Sequence, residues 1–181
     1  MAGIQPAKMV GALSAGPGYR KSAELLENKE SASVRSTKGK AAETVSVPLL
    51  RAVVGAHGVA GDKRSLRTIP AKEAIAVPSA WCPNPDYTSM ASVKGHAMEP
   101  LVREGDIIAV DAFQTEREPL MGKLVVAANQ EQGLTLSRLR RFDSLVLLDA
   151  EDRRSEPVIL SKANDWRIVG KVLWWISGTD S

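Results

Sequence analysis

Cysteine is nearly absent from this sequence: Cys82 stands alone among 181 residues. One thiol forms no internal disulfide and cannot build a cysteine-rich zinc site. It suits a reducing compartment. Histidine is as scarce, with only His57 and His96, which lie far apart and lack ligand spacing. No metal and no other cofactor is therefore expected. Aromatic residues make up 4% of the chain, so the core must rest on Val, Leu, Ile, Ala and Met. No apolar run reaches the roughly 18 residues of a membrane span. The N-terminus lacks the apolar core of a signal peptide, since Lys8 and Arg20 bracket only a short Gly/Ala-rich segment. Together these absences predict a cytoplasmic protein. No carboxylate pair or Gly-rich phosphate loop is visible, and Gly55, Gly58 and Gly61 read as turn residues. The net charge of +3 is too small to argue for nucleic acid.

What is present changes character near residue 45. Residues 1–44 are rich in Ala, Gly, Ser, Lys and Glu and contain neither Trp nor Phe. Only "KSAELLENKE", 21–30, has a helical pattern, and its Leu25 and Leu26 have little to bury. This composition predicts a flexible or disordered N-terminal arm. It is too short and too polar for a helix-turn-helix domain, so direct DNA binding is not expected. From 45 to 181 the pattern is β. "VSVPLLRAVVGAHGVAG" is β-branched and punctuated by glycine, and "KEAIAVPSAWCPNPDY" reads as extended, its prolines barring a helix. "GDIIAVD", "GKLVVAAN", "QGLTLSRLRRF", "SLVLLDA", "EPVILS" and "RIVGKVLWWIS" follow. Short strands between Gly, Asn, Asp and Pro predict a mainly β domain.

One segment asks for chemistry. In "KGHAMEPLVREGD", 94–106, Gly95 permits close backbone approach and a helical turn is predicted after residue 97. A strand-to-turn junction of this kind can present a side chain and aim N–H groups at a reacting carbonyl. Taken alone it is equally a tight turn between strands. The string resembles the LexA/UmuD-like family of self-cleaving Ser-Lys peptidases, which shares its fold with signal peptidase. The family motif is Gly-x-Ser-Met-x-Pro, four residues, then Gly-Asp. Gly95, Met98, Pro100, Gly105 and Asp106 match it, and Ala97 stands at the nucleophile. The family's base is a lysine in a strand of the type Thr-Val-Lys-Arg-Leu. Here "TLSRLRR" matches at Thr135, Arg138 and Leu139, and Ser137 stands at the base. "LVLLDAEDRRSEPVIL" and "RIVGKVLWWISG", with Gly170, resemble later family segments, and Ala60-Gly61 is the nearest match to the self-cleavage bond. The resemblance covers residues 45 to 178. It implies a LexA/signal-peptidase-like β fold and a homodimer, often formed through the last strands.

In a Ser-Lys dyad a buried lysine, neutral near pH 7 because it is desolvated, takes the serine proton as the hydroxyl attacks. Ala97 offers a methyl group and Ser137 a hydroxyl far too weak as a base. Either departure should stop the reaction. Ser89, Ser92 and Lys94 lie near residue 97, and period-two geometry puts Ser92 and Lys94 on one face as a shifted dyad. Such pairs are also ordinary on strands. His96 reads as a polar turn residue and Cys82 as a small packed hydrophobe. An engineered serine-to-alanine change would account for Ala97 but not for Ser137, so loss of both groups is the preferred reading. "VLWWIS" places Trp174 and Trp175 on opposite faces of one strand, which must be buried on both faces or meet a partner. Three functions are left open. They are an inactive regulatory or adaptor module in a stress-response or phage-repressor setting, an accessory subunit with a polymerase as partner, and an active self-cleaving peptidase.

Overall fold

The computed structural model describes residues 43–55, 66–161 and 163–178. The chain divides into two units, Met1–Ala41 and Ala42–Ser181, and every described residue lies in the second. The predicted arm, apart from its last two residues, and the Ala60-Gly61 bond therefore fall outside the described residues.

The described unit is mainly β. Its strands are β1 (Thr44–Gly55), β2 (Ala71–Pro78), β3 (Thr88–Lys94), β4 (Ile107–Asp111), β5 (Leu124–Asn129), β6 (Gly133–Phe142), β7 (Leu145–Asp149), β8 (Val158–Ile159) and β9 (Arg167–Ile176). They form one sheet in the order β2-β1-β3-β4-β9-β5-β6-β7-β8. A parallel bridge between Gly55 and Thr135 joins β1 to β6, which closes the middle strands into a circuit. Side chains from all six strands of that circuit meet inside it: Val54, Val93, Ile108, Val126, Leu136 and Val172 belong to one buried cluster. A second cluster, with Val125, Ala127, Leu139, Leu148 and Trp166, lies on the outer face of β5 under β7 and β8. A third, with Val47, Leu49, Val77, Cys82, Met90 and Ala109, lies outside β1, β3 and β4.

Strands that serve two clusters are apolar on both faces. Every residue of β5 is buried, its alternate side chains feeding different cores. β1 moves from one core to another along its length. Val45, Val47 and Leu49 pack toward the third cluster, and Leu50, Ala52 and Val54 enter the first. The pairing of β1 with β2 shifts register between Leu49 and Leu50, where this exchange occurs.

The reading of 72–87 as extended throughout needs correction. After β2, Ser79–Trp81 and Pro85–Tyr87 each form a single 3-10 turn. Proline opens the second turn at a position where its missing N–H has no bond to lose.

Candidate functional site

β3 ends at Lys94, and the chain reverses through Gly95, whose φ of 83° is costly for any residue with a Cβ. One helical turn follows: Val102 N–H donates to Met98 O at 2.9 Å. Met98 is buried in the first cluster. The Glu99-Pro100 bond is cis, and Gly105 takes a φ of 87°. Asp106 closes the loop. Its carboxylate accepts from Arg103 N–H at 2.8 Å and from Ser177 Oγ at 3.0 Å. Its carbonyl accepts from Val93 N–H, and Gly105 N–H donates back to Val93 O. Gly95, Met98, Gly105 and Asp106 thus hold a shape, and none of them supplies the nucleophile or the base.

Ala97 sits inside this frame at 7% exposure, its carbonyl accepting from Asp152 N–H at 2.9 Å. Ser137 lies on β6 opposite Val125, also at 7% exposure. Both line one cleft of about 30 Å³, with Thr135, Leu148, Ser155, Glu156 and Trp166 among its other walls. That volume holds about one water. The Ser137 hydroxyl has no hydrogen-bond partner among the described residues and opens into this space. No lysine, histidine or cysteine lines the cleft.

The alternative residues fall elsewhere. Ser92 is half-buried and does not line the cleft, and Lys94 is exposed, without the burial that a base of this type requires. Ser89 is buried at the far end of β3. His96 is exposed, with Nδ1 2.8 Å from Glu99 Oε1, a hydrogen bond that raises its pKa. Burial pushes the Cys82 thiol up, away from the thiolate that a nucleophile needs. Among the described residues no group of His, Cys, Asp and Glu is placed to hold a metal ion.

The structure separates the two tryptophans. Trp174 packs in a T-shape on Trp81, ring centroids 5.6 Å apart, and donates from Nε1 to Trp81 O at 3.1 Å. Trp175 is 36% exposed beside Ile176 at 49%. β9 itself is bonded on both edges, to β4 and β5. The backbone of this strand and Trp174 are thus accommodated within one chain.

Sequence reasoning did not pick out Ser155, Glu156 or Trp166 as cleft walls. Only the likeness of "LVLLDAEDRRSEPVIL" to a family segment pointed toward that loop, and no periodicity shows which of its residues turn inward.

The frame, the cleft and the closed β circuit describe a peptidase-type fold. A family model described as Peptidase S24-like matches residues 53–173, more than half of the chain. The protein belongs to the Peptidase S24-like family. No curated protein matches the sequence closely enough to be counted a relative.

Proposed function

We propose that this protein is a member of the family without peptidase activity, serving as a dimerising regulatory or adaptor module. One observation carries the reading: the cleft holds a methyl group at Ala97 and an unpartnered hydroxyl at Ser137 where the family places serine and lysine. Acyl transfer needs a nucleophile whose proton can leave to a neighbouring base. Ala97 has no such proton. Ser137 has one, but no amine or imidazole lines the cleft to receive it. The family resemblance supplies the setting, stress-response or phage-repressor regulation, with a repressor-system or polymerase component as the protein partner.

The test is incubation of the purified chain at alkaline pH, followed by gel electrophoresis. The protein should remain intact over the time in which a Ser-Lys enzyme would process itself. Self-cleavage that disappears on Lys94→Ala or Ser92→Ala would overturn the proposal in favour of a shifted dyad. DNA binding that weakens steeply with salt would replace the adaptor role with a repressor role.

A further inference from the structure

The described residues contain a second concavity, which shares no wall with the cleft. β1 pairs with β2 from Thr44 onward but first meets β3 at Leu49 and Met90. Pro48 on β1 and Thr88 and Ser89 on β3 line a pocket of about 300 Å³. This is the lower end of the range for small-molecule sites. Leu50, Leu66 and Ile69 form a buried apolar floor. Arg67, Asp86 and Tyr87 stand at its rim. Tyr87 is fixed by two contacts: the Arg67 guanidinium lies 4.6 Å from the ring centroid, and Phe113 packs edge-on at 5.2 Å.

Three polar groups of this pocket have no polar partner among the described residues. Arg67 and Asp86 form no ion pair with each other or with any other described residue. Ser89 is 8% exposed, yet its hydroxyl has no hydrogen-bond partner among the described residues. By contrast the neighbouring Thr88 hydroxyl donates to Asn84 O at 2.8 Å. No buried side-chain polar atom among the described residues lacks a partner, so the Ser89 hydroxyl is open to solvent and within reach of a ligand in the pocket. An anion without an ion pair and a cation engaged only with the Tyr87 ring, both lining one small pocket, suit a ligand that carries both charges close together.

We propose that this pocket binds a free α-amino acid with an apolar side chain. The ligand carboxylate meets Arg67, its ammonium group meets Asp86, and Ser89 hydrogen-bonds its polar end. The side chain lies on Leu50, Leu66 and Ile69. A fatty acid leaves Asp86 without a partner, and a peptide longer than a few residues carries its terminal charges too far apart for one pocket. Arg67 and Asp86 are exposed, so each contributes modestly, and a Kd of about 0.1–1 mM is expected.

The experiment is a titration of the full chain with L-leucine, followed by saturation-transfer NMR and calorimetry. Glycine, 4-methylpentanoate and 3-methylbutylamine are the comparison ligands, lacking in turn the side chain, the ammonium and the carboxylate. Leucine should bind saturably, and each comparison ligand at least about tenfold more weakly. Arg67→Ala and Asp86→Asn should each weaken leucine about fivefold or more, a step of roughly 1 kcal/mol. Ala71→Phe, at an exposed position on the rim, should abolish binding while circular dichroism shows the fold intact. No saturable leucine binding up to ~20 mM, some twenty times the weakest expected Kd, would overturn the proposal. So would equal binding of 4-methylpentanoate or of leucine blocked at both ends, or binding indifferent to all three substitutions.

Discussion

At the scale of single residues, the proposed lack of peptidase activity is a matter of two missing groups rather than one. Ala97→Ser alone should remain inert, because its hydroxyl would face Ser137 and not an amine. Ala97→Ser combined with Ser137→Lys is the smallest change that restores both partners. Self-cleavage by the double variant, rising with pH as the lysine loses its proton, is the expected outcome on a time-course gel. A lysine must enter a cleft of only about 30 Å³, so the double variant should also unfold more easily, by about 1–3 kcal/mol. His96 beside the site gives a separate check. Its hydrogen bond to Glu99 favours the charged imidazolium, which raises the folded-state pKa above the ordinary value of about 6.5. That contribution to stability is fully present below the ordinary value and is lost as pH rises through the folded one. An NMR titration of His96 should show the raised midpoint, and Glu99→Gln should lower it.

At the scale of elements, one close packing joins two strands and one buried carboxylate joins a strand to its loops. Gly170 on β9 faces β4 so closely that a Cβ there would lie 2.5 Å from Val110 Cγ1 and 2.9 Å from Asp111 O. Gly170→Ala should cost about 1–3 kcal/mol in urea unfolding, because β4 or β9 must move to admit one methyl group. A loss within the error of the extrapolation would mean that the strands part more readily than this packing implies. Asp111, fully buried at the end of β4, accepts from Asn84 Nδ2, Gln114 Nε2 and Phe113 N–H. One carboxylate thereby holds the loop before β3 and the turn after β4. Asp111→Ala leaves three donors without their acceptor and should destabilise the protein by about 3 kcal/mol in the same measurement.

At the scale of the whole molecule, the exposed end of β9 is the surface on which the proposed dimer is most simply built. Trp175 and Ile176 stay open to solvent there, while Trp174 is engaged with Trp81. Trp175→Glu should shift sedimentation toward the monomer and leave the unfolding midpoint nearly unchanged. Trp174→Ala should do the reverse, lowering stability by about 3 kcal/mol or more as an aromatic contact and its hydrogen bond are lost. A wild-type protein that sediments as a monomer at ~100 µM would remove dimerisation from the proposed function. None of the described helices is long and apolar enough to cross a membrane.

The strands were legible in the sequence because their signal is local. Runs such as "LVVAAN" and "GDIIAVD" carry their own burial pattern, and Gly, Asn and Asp mark where each ends. The turn from Gly95 to Asp106 was legible in the same local way, and the family resemblance was needed to read it as the frame of a site. The sequence also determined which groups stand at the two positions on which the proposed function rests, for no fold adds a hydroxyl to Ala97 or an amine to Ser137. The tertiary structure alone decided what required distant segments to meet. Ala97 and Ser137 are forty residues apart in the chain and share a cleft because the sheet closes between Gly55 and Thr135. Trp174 and Trp175 are neighbours with equal claims in sequence, and only the position of Trp81, brought over by the turn after β2, distinguishes them. The pocket at Ser89 had no sequence signature at all. Its walls come from β1, from residues 66–71 and from residues 86–89, and only the fold brings segments so far apart in the chain to one place.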